Sequence, residues 1–398
     1  MTAFQTMINP SEDVMNIAKS FSEEIRTRAS EFEAQGYVSQ DLADRIAETG
    51  LYRLCTPKSL HGLEKSPVDY AAVTEYLAHA DGSVAWVVFI GITSAISVSN
   101  LPDDAVRRIF LSDPKAITAG VFAPMGRAIK TVQGDRSGYR LTGQWQWGSG
   151  SRNAAFISGG GFVTDPEGAI LKTPDGRPDQ RAFFMPTTDI ELLDTWQVSG
   201  LKATGSTDFR VRDLFVPEEM TFDATRMSGP DGAIHKFPIF ALLGIGIAAV
   251  ALGLARASLD ELVGFASEKT PQGSSKPLAL KPSTQSQVAK AEAELRAARL
   301  FFYESISRSW QNAMQGDEPS IEDRRDIRLA TTHATNSAAR VIDRMYRLGG
   351  GTSVYAKSPL QRHFRDVHVA TQHMMVSDAT LELVGRLFVG VETNTAQL

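Results

Sequence analysis

The residues best suited to chemistry lie in two short stretches. The first is 142–151, TGQWQWGSGS, which holds two of the five tryptophans two residues apart. From Tyr139 the pattern alternates. Tyr139, Leu141, Trp145 and Trp147 share one face, and Arg140, Thr142, Gln144 and Gln146 share the other. Period two predicts a half-buried strand, with Gly143 as a break. The strand runs into Gly148, Ser149, Gly150 and Ser151, where glycines allow close backbone approach and hydroxyls offer hydrogen bonds. A large flat aromatic beside a small polar loop suits a planar heteroaromatic ligand such as a flavin. A core tryptophan pair followed by an ordinary turn is the alternative. The second stretch, RDVHVATQHMM, ends around His373, whose imidazole titrates near neutrality and so suits acid–base work. A satisfied helix histidine is the plain reading.

Other familiar chemistries are set aside. There are seven histidines, and the last three, His363, His368 and His373, are five apart. Five residues turn a helix by about 140°, so adjacent members do not share a face. No HExxH string and no cysteine pair occurs, so no metal site is expected. No GxSxG elbow or Walker loop is present. The string GIGIAA lies in helical texture with no preceding strand, so it is not read as a dinucleotide fingerprint.

Composition narrows the classes further. The chain has 398 residues, 42% hydrophobic and 22% charged, as a globular protein does. Net charge is 41 − 46 = −5 without a strong basic block, so no nucleic-acid partner is expected. The single cysteine, Cys55, excludes an intrachain disulfide and fits a reducing cytoplasm. The first residues show no basic-then-apolar signal pattern. Residues 237–255 carry no charge over about a membrane-span length. They are rich in Ala and Gly, begin beside Pro238 and continue into a charged amphipathic stretch, so a helix buried in a bundle is expected and no membrane partner.

Three textures follow one another. Up to about residue 112 the spacing is helical, with Val14, Ile17, Ala18, Phe21 and Ile25 behind Ser11, a candidate N-cap. Further helices are predicted over 41–54 and from Pro67. From 117 to 222, short apolar or alternating runs separated by QGDRSG, TDPEG and TPDGRPD predict an antiparallel β-sandwich or barrel. After Pro238 helical texture returns, with a long helix over 285–313 and another opening at Ser320. The expected domains are an N-terminal helical domain (1–114), a central antiparallel β domain (115–225) and a C-terminal four-helix bundle (226–398). The fold class is multi-domain α+β.

These strings, in this order, resemble the acyl-CoA dehydrogenase superfamily. ETGLYRLCTPKSLHGLE and ADGSVAW are similar to segments of the family's first domain. WGSG resembles its Trp-x-Thr/Ser stretch, whose hydroxyl faces nitrogen 5 of the flavin. DTWQVSGLKATGSTDFRVRDLFVPEE is similar to its strand pair ending in Val-Pro, and RLGGGTSVYAKSPLQRHFRD to its glycine-rich turn and Arg-Asp pair. The resemblance implies the acyl-CoA dehydrogenase-like fold and a homotetramer.

The departures bear on function. Many family members place a catalytic glutamate eight residues after the Arg-Asp pair, where this chain has Met374. A methionine is no base. His373, Ser149 and SPLQRHFRD, with the loop AGVFAPMGRA, look more like the oxygenase components of two-component phenol, p-hydroxyphenylacetate, steroid-phenol, indole and thiophene monooxygenases. That resemblance implies reduced FMN or FAD delivered by diffusion from a separate NAD(P)H:flavin reductase. It implies O2 and oxygenation of a small aromatic or heteroaromatic substrate through a C4a-(hydro)peroxyflavin. It assigns Ser149 as the hydrogen-bond donor at nitrogen 5 and His373 as the group that deprotonates or orients. Trp147, Gly148, Ser149, Phe122, Ala123, Lys269, Gly349 and Gly350 are expected to hold flavin, and Trp86, Ile90, Phe122 and His373 to line the substrate site. An acyl-CoA dehydrogenase-like enzyme with a displaced base and a non-catalytic flavin-fold scaffold are the alternatives.

Overall fold

The helical spacing at the start of the chain becomes the buried face of α1 (Glu12–Gln35), where Val14, Ala18, Phe21 and Ile25 are buried and Ile17 is half-buried. Ser11 does not cap it through its side chain. Its backbone N–H instead donates to Asp69 Oδ1 at 2.6 Å. That carboxylate belongs to the capping box of α3 (Pro67–Ala80), so one acidic side chain closes α3 and ties α1 to it. Between them α2 (Gln40–Glu48) is shorter than its apolar pattern predicts, because Gly50, at φ +82°, turns the chain. Asp81 accepts from the N–H groups of Ser83 and Val84 at 3.0 Å and opens α4 (Gly82–Val98), and α5 (Asp103–Phe110) follows. The computed structural model describes residues 10–110, 112–113, 115–225, 232–395 and 398. The expected boundaries at 114 and 226, and the segment 1–9, fall outside those residues.

The strands are β1 (Thr118–Gln133), β2 (Arg136–Trp145), β3 (Phe156–Thr164), β4 (Gln180–Pro186), β5 (Glu191–Leu193), β6 (Asp208–Pro217) and β7 (Thr221–Asp223). They form one seven-stranded sheet in the order β5-β6-β2-β1-β3-β4-β7. The expectation of an antiparallel sandwich or barrel needs correction, since the sheet is mixed and β1 and β3 run parallel. The reason is the connection. β2 returns antiparallel from β1, and residues 146–155 then carry the chain back to where β1 began. A parallel neighbour requires such a crossover rather than a hairpin. The crossover is the segment that carries Trp147 and Ser149.

Helices resume with α6 (Ala233–Lys236), α7 (Ile239–Ala266), α8 (Pro282–Met314), α9 (Ile321–Gly349), α10 (Pro359–Ala370) and α11 (Asp378–Phe388). Ser320 caps α9 by accepting from the Asp323 N–H at 3.0 Å. α7 is long and apolar enough to cross a membrane, yet 83% of its most apolar 18-residue window is buried inside the protein. It packs on α3 and α9, as a core helix does.

The two helical stretches do not form separate cores. Ile25, Leu42, Tyr70, Ile245, Phe302 and Ile342 belong to one apolar cluster. A second cluster joins the sheet to α5 and the end of α4. α4 enters both, with Trp86 and Phe89 in the first and Ala95 and Val98 in the second. Ser149 and His373 both meet this helix at Trp86.

Candidate functional site

The site begins with the end of β2. Trp145 is fully buried, donates from Nε1 to the Gly160 carbonyl at 2.7 Å and stacks on Phe209 with centroids 5.0 Å apart. A Cβ at Gly159 would lie 2.6 Å from this indole, so only glycine fits beside it. Pinned there, the chain turns. Trp147 takes φ +64°, rare for a bulky residue, and its indole is 69% exposed. The two tryptophans predicted to share a face therefore separate, because the strand ends between them. Trp145 is core, and Trp147 offers a free aromatic face.

The next residues lie against the 204–207 segment. Gly148 N–H donates to the Thr207 carbonyl at 3.0 Å and Gly150 N–H to the Thr204 carbonyl at 2.9 Å. This sets Ser149 Oγ 2.6 Å from Ser206 Oγ, which lies 2.6 Å from Thr204 Oγ1. Thr204 Oγ1 donates to the Leu201 carbonyl at 2.8 Å. From α4, Trp86 Nε1 donates to Ser149 Oγ at 3.2 Å. Leu201 is left-handed at φ +49°. It is held by a 2.6 Å hydrogen bond from its N–H to Asp366 Oδ1 of α10. A Cβ on the preceding Gly200 would lie 2.4 Å from the Arg365 backbone, so glycine is required for that approach.

His373 follows α10 and faces Trp86, with ring centroids 6.1 Å apart. It is partly accessible, yet protein surrounds it on most sides. Met375 N–H donates to His373 Nδ1 at 3.2 Å. The neutral ring therefore carries its proton on Nε2. Burial, then the nearby charge of Arg328, push this imidazole down to about 4. Arg328, on α9, is itself buried. It fixes the turn after His373 by donating to the Met375 carbonyl at 2.7 Å and to Thr380 Oγ1 at 3.2 Å. Burial lowers its guanidinium to about 10. At neutral pH His373 is thus an uncharged donor through Nε2, which favours orienting over proton abstraction.

Of the remaining expected residues, Ile90 lies one turn beyond Trp86 on α4, half-buried against both cores. Phe122 and Ala123 sit in a bulge. The β1–β3 register jumps from Val121↔Gly159 to Gly126↔Gly161, so residues 122–125 bow out opposite Gly160 alone. Lys269, Gly349 and Gly350 come together with each other. Lys269 Nζ donates to the Gly349 carbonyl and to Thr352 Oγ1, and Gly350, at φ +52°, caps α9. This is a helix C-terminus satisfied by a cation. No hydrogen bond among the described residues joins it to the Trp86–Ser149 group.

His368 pairs with Asp343 at 2.9 Å. Thr204, Ser206, Arg328 and Asp366 were missed as site residues. Only the KATGSTDF string, next to a recognised strand, hinted at the first two. The residues present fit a flavin, with an uncovered indole at Trp147, a hydroxyl at Ser149 set beside it by the same loop, and a bulged strand at 122–125.

Comparison with known proteins bears on the same point. Residues 14–113 match the acyl-CoA dehydrogenase N-terminal domain and residues 245–378 the acyl-CoA dehydrogenase C-terminal domain. The chain is 36% identical to an indole-3-acetate monooxygenase of Pseudomonas putida, over 92% of this chain and 90% of that protein. It is 28% identical to the flavin-dependent monooxygenase oxygenase subunit HsaA of Rhodococcus jostii, over 88% of this chain and 91% of that one. The solved structure of XiaF from Streptomyces sp., in complex with FADH2 and glycerol, is similar with a TM-score of 0.87 and 25% identity, covering 96% of each chain.

Proposed function

Because the chain belongs to the acyl-CoA dehydrogenase family and its relatives include flavin monooxygenases, we propose that it is the oxygenase component of a two-component flavin monooxygenase acting on an indole-type aromatic molecule. Reduced FMN or FAD reaches it from a separate NAD(P)H:flavin reductase by diffusion. Bound reduced flavin supplies the two electrons with which O2 is activated, so that one oxygen atom enters the substrate and the other leaves as water.

The chain's own residues hold, orient and exclude water. Trp147 and Ser149 would hold the flavin, Trp147 through its exposed indole and Ser149 through its hydroxyl toward nitrogen 5. Trp86, Ile90 and Phe122 wall the substrate space and keep it dry. His373 holds a proton at Nε2 and aims it at an acceptor. The observation that carries the substrate class is the hydrogen bond from Met375 N–H to His373 Nδ1. With Nε2 carrying the proton and the Nδ1 lone pair engaged by the Met375 N–H, the ring offers a phenol no free basic nitrogen. An indole needs no such deprotonation, and the Pseudomonas relative is named for an indole substrate. Against the dehydrogenase alternative, Met374 is exposed, and Asp378, the next carboxylate, is exposed at the start of α11.

The test supplies reduced flavin, O2 and indole-3-acetate, with a purified flavin reductase and NADH. Oxygen uptake with a product heavier by one oxygen atom supports the reading. Bleaching of bound oxidised flavin by an acyl-CoA without oxygen uptake would sink it. Oxygen uptake no faster than that of free reduced flavin would leave only a scaffold.

The proposal extends to a cytoplasmic homotetramer. Phe388 at the end of α11 and Val389 just after it are exposed apolar side chains, and Cys55 is a free buried thiol. Light scattering at micromolar concentration and cell fractionation check these two points.

A further inference from the structure

The hydroxyl chain behind the site has a direction, and proton counting fixes it. A carbonyl accepts only, so the single proton of Thr204 goes to the Leu201 carbonyl at 2.8 Å. Thr204 Oγ1 must then accept at its 2.6 Å contact, which commits the proton of Ser206. Ser206 in turn accepts at its 2.6 Å contact, which commits the proton of Ser149. An indole N–H donates only, so Trp86 occupies one lone pair of Ser149 at 3.2 Å. Two neighbours of Ser149 are settled, and one of its lone pairs is left.

The chain is anchored at its far end and sealed along its length. Thr204 and Ser206 are 2% and 3% exposed, so no water competes, whereas Ser149 keeps 7%. Leu201 is clamped by Asp366 of α10, so its carbonyl is not free to turn away. Reversing the order would set two lone pairs against each other at 2.8 Å, between Thr204 Oγ1 and a Leu201 carbonyl that already accepts from Trp196 Nε1 at 3.3 Å and from the Thr204 N–H at 3.2 Å.

We propose that Thr204 and Ser206 are positioning residues that turn the proton of Ser149 away from the flavin, so that Ser149 presents only an acceptor and the site selects reduced over oxidised flavin. The sequence expectation of Ser149 as a donor is thereby inverted. Nitrogen 5 of a reduced isoalloxazine bears a hydrogen and meets a lone pair. Nitrogen 5 of an oxidised one is itself an acceptor, and two lone pairs face each other. A component that receives reduced flavin from another enzyme and releases it oxidised needs this bias. The inference rests on the flavin reading of the preceding subsection.

The experiment measures dissociation constants of FMN and FAD, oxidised and photoreduced, by anaerobic titration of tryptophan fluorescence. Thr204→Val keeps shape and leaves Ser149 and Ser206 in place, but removes the acceptor that orders them. The ratio of oxidised to reduced dissociation constants should fall about tenfold, which raises no new contact and equals about 30 mV in the two-electron potential of the bound flavin. Ser206→Ala should lower the same ratio by an independent route, and Thr204→Ser should keep the wild-type value. The ratio compares two ligands on one protein, so a general loss of folding cancels. A wild-type ratio in both Thr204→Val and Ser206→Ala, or a Thr204→Ser ratio as low as that of Thr204→Val, overturns the proposal while leaving flavin binding intact. Failure of the wild-type protein to bind either redox form overturns the flavin reading as well.

Discussion

Trp86 Nε1 donates to Ser149 Oγ at 3.2 Å, across 63 residues of sequence. The bond joins the helix that spans both cores to the crossover that makes β1 and β3 parallel. A helical residue and a loop residue, each unremarkable alone, thus define one edge of the site.

Ser149→Ala should divert turnover to hydrogen peroxide. It leaves the buried Trp86 N–H without an acceptor, so it should also cost about 1–3 kcal/mol, more than an exposed loop hydroxyl would. The product formed per O2 consumed, with peroxide assayed alongside and stability read from urea unfolding, checks both parts. Wild-type coupling in the variant would remove Ser149 from the chemistry.

The two tryptophans should separate by experiment as they do in space. Trp145→Ala empties a packed, hydrogen-bonded core position and should cost about 3–5 kcal/mol. Trp147→Ala touches an exposed side chain and should change stability by less than about 0.5 kcal/mol. It should nonetheless weaken binding of reduced flavin. Unfolding curves and anaerobic titrations separate the two effects, and unchanged flavin affinity in Trp147→Ala would return that residue to the plain surface.

His373 should show no titration in the working range. Its folded pKa is lowered to about 4, so the ring is neutral throughout pH 6–9 and becomes charged only in acid. kcat/KM should be flat across that range with respect to this group. His373→Ala should lose one donor and fall by roughly 10- to 100-fold, about the worth of one hydrogen bond. His373→Asn, which keeps an N–H, should fall less. The loss in His373→Ala should be the same at pH 6 and pH 9. A loss that shrinks as pH approaches a phenol's pKa of about 10 would restore the base role and the phenol-type substrate.

Asp366 makes the opposite kind of prediction. Burial, and then the neighbouring charge of Asp81, raise its carboxyl to about 7, although Leu201 N–H, Arg362 and Arg365 pull it back. With an unfolded value of about 3.9, the folded state holds the extra proton between about pH 4 and 7. The stability this group contributes is full below about pH 4 and is lost as pH rises through 7. Asp366→Asn keeps an oxygen for Leu201 and removes the charge. It should therefore match the wild type at pH 4 and be more stable by roughly 1–3 kcal/mol at pH 8. Urea midpoints measured from pH 4 to 9 test the sign, and a variant less stable at high pH than at low pH, relative to wild type, contradicts it.

Residue order alone determined a good deal. The apolar periods marked the helices and strands, because burial on one face leaves a repeat of 3.6 or 2 residues in the chain. Five family-like strings identified the fold class, and Ser149, Trp147 and His373 were legible as candidates from their types and neighbours. Tertiary structure alone decided what those types do. Tyr139, Leu141 and Trp145 followed the alternation, but Trp147 left it, since where a strand ends depends on the pocket that seizes Trp145 rather than on the pattern. The parallel pairing of β1 with β3 was invisible because local sequence specifies strands and not their neighbours. The tautomer of His373 rests on a backbone N–H two residues away, and the direction of the Ser149 proton rests on a carbonyl reached through Ser206 and Thr204. A hydroxyl or an imidazole is donor and acceptor alike in sequence. Only the fixed neighbours of the folded chain, bonded where water is excluded, choose between the two.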